Sequence, residues 1–357
     1  MAGFFTRGII LEQHKEPALS RDPRKFFNAN INNNSFDNAM YPPPEQLSPA
    51  QIIEIARLAN IIDERDGVPL HEKLTATERG VVATVVGDAS DDEPYISSQI
   101  NPLLKKSELT LQGLKLVKTA VGAKRAYFAV YKNIADISVK IPRKVGDIVI
   151  KRIRGRYPAE YRITDKFERW GTPVLMIGVC SLIHLARAAA HGKVQTSCFL
   201  TVAGNCIANP TNLEVSLGMP IMQVLERCGL SKEPNAIVIG GPMTGISCKD
   251  PDNTVVTHTT RAILAFSEDT KDRHYKCIGC GRCVEACPEN LTPFYINKCI
   301  EHGREKELRF YEIGRCIGCG ICSYVCPAKL DISANIKAAR SKMAKLKGGV
   351  ENAAEEL

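Results

Sequence analysis

Two cysteine runs near the carboxyl end constrain this chain more than any other feature. Residues 277–288 read CIGCGRCVEACP and residues 316–327 read CIGCGICSYVCP. Each run has the spacing C-x2-C-x2-C-x3-C-P, in which three thiolates wrap one face of a cubane iron–sulfur cluster and the fourth cysteine ligates the other cluster of the pair. The repeat therefore predicts a small domain that holds two [4Fe–4S] clusters with exchanged fourth ligands.

The predicted metal ligands form two sets of four cysteines. Zinc is the alternative, because C-x2-C pairs also build zinc ribbons, but two complete runs that each end in Cys-Pro favour clusters. A total of 14 cysteines, without an export signal in MAGFFTRGII, favours metal ligation in a reducing compartment over disulfides. One cluster is expected on Cys277, Cys280, Cys283 and Cys326, and the other on Cys316, Cys319, Cys322 and Cys287.

Charge is distributed unevenly along the chain. The net charge is +8, and residues 105–169 alone hold 17 Lys and Arg against 6 Asp and Glu. Such a surface suits acidic partners, by which we mean small acidic redox carriers or nucleic acid; a solvated basic face without a partner is the alternative. The longest apolar run, 172–190, contains His184 and Arg187, which favours a buried element over a membrane span.

The order of predicted elements divides the chain into several parts. Ser48 starts a helix with Pro49 in its first turn, and helices then alternate with apolar runs such as Val81–Val86, which favours an α/β layer with a largely parallel sheet. A small α+β unit follows. The predicted boundaries are an N-terminal arm (1–47), an α/β domain (48–192), a small α+β domain (193–255), a cysteine-rich domain (265–342) and a tail (343–357).

Six segments of the sequence bear on its family, namely SPAQIIEIARLANII, EPYIS, TVAGNCIANPTNLEVSLGMPIMQVLERCG, IGGPMTG and both cysteine runs. In this order they resemble the C subunit of the Rnf electron-transport complex. The resemblance extends to the cobalamin reductase of propanediol microcompartments and to an electron-transfer protein associated with proline reductase. It implies a multidomain α/β fold, with a domain like the flavin subunit of complex I, an SLBB-type β-grasp domain and an α-helical two-cluster ferredoxin-like domain.

The resemblance also identifies a degenerate nucleotide site. In the family a glycine-rich loop precedes a Gly-x-Pro-x-His-x-Lys-Leu pattern, and this chain keeps the second half from Gly67 to Leu74. Where the glycines are expected it has Asp63, Glu64, Arg65 and Asp66, whose three carboxylates remove the phosphate cradle and repel phosphate. Gly67, Glu93 and Tyr95 are therefore the expected remnants of a flavin and NADH site, and bound FMN is not expected.

Two functions remain open at this point. The first is an iron–sulfur electron-transfer subunit that relays electrons between a redox partner and an acceptor through two clusters. The partner, a ferredoxin, flavoprotein or reductase complex, is expected to dock on the basic region 105–169. The second is a flavin-dependent NADH dehydrogenase or cobalamin reductase with a rebuilt site. Nucleic acid is not expected as a partner, and a cytoplasmic location is expected, with membrane association only through a partner.

Overall fold

The α/β domain is built on a five-stranded sheet. The computed structural model describes residues 35–37, 40–78, 82–131, 141–159, 163, 173–267 and 275–354, with side chains described up to residue 343. The strand order is β3-β4-β2-β1-β5, and all neighbours are parallel except β3, which runs antiparallel to β4. The strands are β1 (Thr84–Asp88), β2 (Arg125–Tyr131), β3 (Lys144–Val145), β4 (Ile148–Ile153) and β5 (Val174–Gly178).

Five α-helices lie in the described part of this domain. Helix α1 begins as predicted, because the Ser48 side chain and Gln51 form a reciprocal capping box with Pro49 in the first turn. Helices α4 and α5 pack very closely: a Cβ on Gly113 would lie 2.0 Å from the carbonyl oxygen of Leu182, so only glycine fits there. The helices are α1 (Pro49–Leu58), α2 (Leu70–Glu78), α3 (Ile100–Lys105), α4 (Ser107–Ala120) and α5 (Val179–His191).

The second sheet has the β-grasp arrangement. Strands β6 (Ser197–Ala203), β7 (Thr211–Ser216), β8 (Ala236–Ile239), β9 (Ile246–Ser247) and β10 (Ala262–Phe266) lie in the order β7-β6-β10-β8-β9, with helix α6 (Ile221–Arg227) between β7 and β8. Strand β10 is parallel to β6 and antiparallel to β8. The predicted end of this domain at residue 255 is therefore too early, because its central strand comes after that point.

The cysteine-rich domain is helical and internally repeated. Its core is built from Leu291, Ile296, Leu308, Ile313, Ile332 and Ile336 together with several cysteines. In each run the two glycines between cysteines have positive φ, at 67° and 75° in the first run and 69° and 79° in the second. The helices are α7 (Arg282–Glu285), α8 (Pro293–Glu301), α9 (Glu305–Phe310), α10 (Ile321–Tyr324) and α11 (Ile332–Ala354).

The predicted multidomain α/β fold is confirmed, with two mixed sheets and a helical cysteine-rich domain. Most of the predicted arm falls outside the described residues, as do parts of the basic region 105–169 and the last residues of the tail. Within the described part of the chain, none of the helices combines the length and apolar character needed to cross a bilayer.

Candidate electron-transfer site

The two predicted sets of cysteines line two separate cavities. Cys277, Cys280 and Cys283 share a cavity with Cys326, which comes from the other run. Cys316, Cys319 and Cys322 likewise share a cavity with Cys287. We call these the first and the second cysteine site. The chain thus brings together the exchanged sets of thiols that the spacing predicts, in an arrangement that could hold two clusters.

The surroundings of the thiols suit iron–sulfur clusters. Backbone N–H groups point at sulfur in both sites, from Gly279 to Cys277 and from Gly318 to Cys316, each at 3.4 Å. Burial, followed by neighbouring thiols, raises the pKa of Cys322 to about 12. A thiolate at this position therefore needs a bound cation, and a cubane ligated by four thiolates provides one.

A site for a single ion is a different matter. Among the residues that the structure describes, no three His, Cys, Asp or Glu side chains come close enough together to hold one metal ion. A four-iron cluster does not need such a group, because it binds each of its cysteines through a separate iron atom.

The two cysteine sites differ in their exposure. Cys277 and Cys280 of the first site are exposed. The second site is covered by other domains: a Cβ on Gly320 would lie 2.2 Å from the carbonyl oxygen of Met243. The hydroxyl of Tyr157 donates to the carbonyl oxygen of Cys319 at 2.6 Å. The second site therefore faces the interior of the molecule and the first faces solvent.

The turn IGGPMTG, between β8 and β9, joins the three domains. Lys337 of α11 donates from Nζ to the carbonyl oxygen of Thr244 at 3.0 Å. From the other side, the Glu93 carboxylate accepts from the backbone N–H groups of Met243, at 2.9 Å, and Thr244, at 3.2 Å, and from the Thr244 hydroxyl. A Cβ on Gly241 would lie 1.9 Å from Glu93 Oε2, so the glycine makes room for this carboxylate.

The acidic stretch 63–66 is buried rather than exposed. Glu64 is 4% exposed, and its carboxylate accepts from the backbone N–H groups of Cys180, at 2.8 Å, and Ser181, at 3.1 Å, and from the Ser181 hydroxyl at 2.6 Å. These amides form the first turn of α5, directly after β5. A helix N-terminus at the carboxyl edge of a parallel sheet is where phosphate groups bind in many α/β proteins, and here a carboxylate of the chain occupies it.

The other charges of this stretch are paired. Asp63 accepts from Lys73 Nζ at 2.6 Å and from the backbone N–H of Gly178 at 3.2 Å, while Asp66 pairs with the same lysine. Arg65 Nε lies 2.7 Å from Asp88 Oδ2. Lys73 carries one positive charge and pairs with both Asp63 and Asp66, so this stretch keeps negative charge. The third carboxylate, Glu64, fills the helix N-terminus itself, which is an obstacle to phosphate that the sequence did not show.

Glu64 is an unusually basic carboxylate. Burial, together with the adjacent charge of Asp63, raises its pKa to about 7. Gly178 gives it room, since a Cβ there would lie 2.1 Å from Glu64 Oε1. The three donors hold the ionised form in place, while the low polarity around it favours the protonated form.

A cavity of about 390 Å³ lies between the acidic stretch, the loop after β1 and the glycine turn. Glu93 is on its wall, whereas Gly67 and Tyr95 are not among its lining residues. Gly67 has φ +75° and a Cβ there would lie 3.5 Å from Thr259; Tyr95 is 58% exposed and packs edge-on against Phe266. Of the three expected remnants of a flavin site, only Glu93 therefore faces the cavity.

Sequence reasoning missed several polar residues around this cavity. Asp91 is fully buried and accepts from the backbone N–H groups of Gln99, at 2.9 Å, and Ile100, at 3.0 Å, and from Arg261 at 3.2 Å. Burial raises the pKa of Asp91, and the nearby Arg261 opposes that shift. Asp92 accepts from the backbone N–H of Ala159 at 2.5 Å. The run DASDDEP holds the signal for both, since carboxylates directly after a buried strand lie at the ligand-binding edge.

Comparison with known proteins agrees with this architecture. The family model described as a 4Fe-4S dicluster domain matches residues 276–330, and the one described as an SLBB domain matches residues 199–247. The fold and the cysteine sites thus define a multidomain α/β protein with an SLBB domain and a ferredoxin-type domain for two [4Fe–4S] clusters.

The chain is similar to C subunits of ion-translocating complexes. It is 26% identical over 283 residues to the C subunit of the ion-translocating oxidoreductase complex of Rhodobacter capsulatus, covering 73% of this chain and 54% of the relative. It is 27% identical over 244 residues to the C subunit of the Na(+)-translocating ferredoxin:NAD(+) oxidoreductase complex of Acetobacterium woodii, covering 64% and 55%. The chain thus spans about half the length of these two relatives, and the predicted resemblance to the Rnf C subunit is confirmed.

Solved structures support the fold. A chain in the crystal structure of NAD+-reducing [NiFe]-hydrogenase in the H2-reduced state matches with a TM-score of 0.56 at 14% identity, over 89% of this chain and 64% of that chain. At this identity the match concerns the fold alone.

Proposed function

We propose that this chain is an iron–sulfur electron-transfer subunit of an Rnf-type oxidoreductase complex, without an FMN or NADH site of its own. The observation that carries the proposal is the Glu64 carboxylate on the first turn of α5. A phosphate group bound there would have to displace a buried carboxylate from three hydrogen bonds, and would meet the negative charge of Asp63 beside it.

Two [4Fe–4S] clusters are the proposed cofactors. Each cluster supplies one-electron chemistry when it is bound. The chain contributes four thiols to each from both runs, N–H donors to the sulfurs and, at the second site, the Tyr157 hydroxyl on the backbone of Cys319. The proposed ligand sets are Cys277, Cys280, Cys283 and Cys326 at the first site, and Cys316, Cys319, Cys322 and Cys287 at the second.

The proposed path runs between the two cysteine sites. The first site is open to solvent and the second is covered by the glycine turn and Tyr157, so a partner protein can approach the first more closely. Region 105–169 is proposed to attract a second, acidic partner by long-range steering, since its described cations Lys105, Lys124 and Arg143 are exposed. We propose a cytoplasmic location, with membrane association through the complex.

A flavin-dependent NADH dehydrogenase or cobalamin reductase is the second candidate. It is favoured by the 390 Å³ cavity, whose wall includes both Glu93 and Tyr157. Because Tyr157 also contacts Cys319, a redox group bound in the cavity would lie next to the second cysteine site. In this reading the bound group would need an anchor other than the first turn of α5.

Anaerobic purification followed by cofactor analysis separates the two candidates. The relay predicts about eight iron and eight sulfide per chain, no flavin released by acid, and no bleaching of cluster absorbance by NADH, whereas dithionite bleaches it. Stoichiometric FMN with NADH-dependent bleaching would establish the second candidate. Iron and sulfide far below eight would overturn both.

A further inference from the structure

The face around the first cysteine site exposes apolar side chains. Residues 275–280 are all exposed, and among them Ile278 is 70% exposed and Tyr275 59% exposed. Ile278 also lines the cavity of the first site. A branched apolar side chain left in water directly over a metal site loses burial energy that a covered position would provide, so another surface covering it is the natural complement.

Aromatic rings extend this face away from the cysteines. Tyr295 lines the same cavity and stacks on Tyr311 with ring centroids 5.6 Å apart. Tyr311 in turn contacts Phe310, with centroids 5.2 Å apart. Tyr295 is 49% exposed and Phe310 is 80% exposed. Exposed tyrosine and phenylalanine in a connected row are typical of protein interfaces, where they supply large contact areas at low entropic cost.

Cations lie beside the apolar face. Lys298 Nζ lies 4.8 Å from the ring centroid of Phe294, which contacts Tyr295. Arg309 precedes Phe310, Lys276 precedes Cys277, and Arg282 lies between Cys280 and Cys283. Within the described part of the chain none of these four cations lies in an ion pair, whereas Arg304 and Arg315, nearby in sequence, do. The same stretch also exposes Glu285 and Glu301, so these four cations stand against two carboxylates and the charge beside the apolar residues is positive on balance.

We propose that this face docks an acidic one-electron carrier protein, so that the first cysteine site exchanges electrons with the carrier. The inference rests on the proposed function. With a cluster held by the cysteines of the first site, one electron would leave the carrier's reduced cofactor, which would be oxidised, and would reduce that cluster; no proton or bond would move. The carrier's negative surface meets the four cations beside the face, and its cofactor approaches Ile278.

Charge reversal at two of these cations tests the proposal. The probe is a dithionite-reduced acidic ferredoxin, mixed anaerobically with the oxidised full-length chain in a stopped-flow spectrometer at low and high salt. The Lys298→Glu/Arg309→Glu variant is expected to lower the second-order rate constant at low salt by about tenfold or more, and by much less at high salt, because steering between charges is screened. Ile278→Ser is expected to lower it at both salt concentrations.

Matched variants carry the same change in charge to other surfaces. Arg227→Glu/Lys232→Glu places it on the SLBB domain and is expected to stay within about twofold of wild type. Lys124→Glu/Arg143→Glu places it on region 105–169. The proposal is overturned if that variant slows reduction while the Lys298/Arg309 variant does not, or if no variant differs from wild type.

The docking proposal and the proposed function fail differently. Iron content and bleaching by dithionite alone, measured on every variant, report whether the clusters and the fold are intact. If wild-type chain lacks clusters, the proposed function fails before any carrier is added. If clusters are present and reducible by dithionite in all variants, while the ferredoxin reduces the Lys298→Glu/Arg309→Glu variant as fast as wild type, only the docking proposal is wrong.

Discussion

The backbone N–H of Cys180 donates to the carboxylate of Glu64 at 2.8 Å, across 116 residues of chain. The contact joins the acidic stretch to the first turn of α5 and fills a helix N-terminus from within the protein. Because a carboxylate and a phosphate oxygen make the same kind of hydrogen bond to backbone N–H groups, this one relationship underlies the first two predictions.

Glu64 should make stability depend on pH. Its pKa in the folded chain is about 7, above the ordinary value of 4.5. Its contribution to stability is therefore complete below about pH 4.5 and is lost as the pH rises through about 7, by roughly 1–3 kcal/mol. The glutamine of the Glu64→Gln variant cannot ionise. The Tm of wild type minus the Tm of this variant should therefore decrease as the pH is raised from 5.5 to 8. If this difference in Tm stays constant over the pH range, or changes in favour of wild type, the raised pKa of Glu64 is contradicted.

Emptying the helix N-terminus should create an anion site. Asp63→Gly/Glu64→Ser removes the internal carboxylate and the charge beside it, which leaves the Cys180 and Ser181 amides available. We expect this variant to bind FMN detectably by fluorescence quenching, where wild type does not. Glu72→Ser, an exposed change nearby, is the control and should behave as wild type. FMN binding to wild type with equal affinity would show that Glu64 does not block the site.

The exchange of ligands between the two runs predicts which cysteine variants resemble each other. Cys287 belongs to the first run, but Cys287→Ser should disturb the same cluster as Cys322→Ser, because both cysteines line the second site. Cys326→Ser should match Cys277→Ser instead. EPR spectra of the reduced variants, with iron content, check this. Spectra that group by run would mean that each run binds its own cluster.

The Tyr157 hydroxyl should tune the second cluster alone. It donates to the carbonyl oxygen of Cys319, so the positive end of its dipole points towards the site and favours the added negative charge of reduction. Tyr157→Phe should lower the reduction potential of one cluster and leave the other unchanged in an EPR-monitored redox titration. Tyr324→Phe, a change at a 74% exposed position, is the control; a shift of both clusters would point to a general structural effect.

Alanine variants at equivalent glycines of the two runs distinguish the effect of backbone strain from the effect of contact between domains. Gly281 and Gly320 have φ of 75° and 79°, so alanine strains both by about 1 kcal/mol. At Gly281 a Cβ would meet nothing within 4 Å, whereas at Gly320 it would lie 2.2 Å from the Met243 carbonyl oxygen. Gly320→Ala should therefore lower the Tm more than Gly281→Ala and increase proteolysis between the domains. Equal effects would argue against tight packing of the glycine turn on the second site.

The local features of this chain could be predicted from the sequence alone. The cap at Ser48 and the alternation of apolar runs depend on neighbours in sequence, and the repeated cysteine spacing depends on how far a short loop can reach around a cluster. These features predicted the parallel sheet, the helical repeat and both sets of thiols. The end of the β-grasp domain was misplaced because β10 follows a long connection and pairs with strands far from it in sequence.

The sequence alone determined which cysteines have the spacing of cluster ligands, and its family resemblance predicted a nucleotide loop with carboxylates where glycines are expected. Only the tertiary structure decided what the replacing carboxylates do. Burial and contacts over more than a hundred residues of chain turn Glu64 into the occupant of a helix N-terminus, and they cover the second cysteine site while the first stays open. The spacing of residues in the sequence does not show which side chains lose contact with water or which distant segments meet. Both depend on which surfaces come together once the domains are packed.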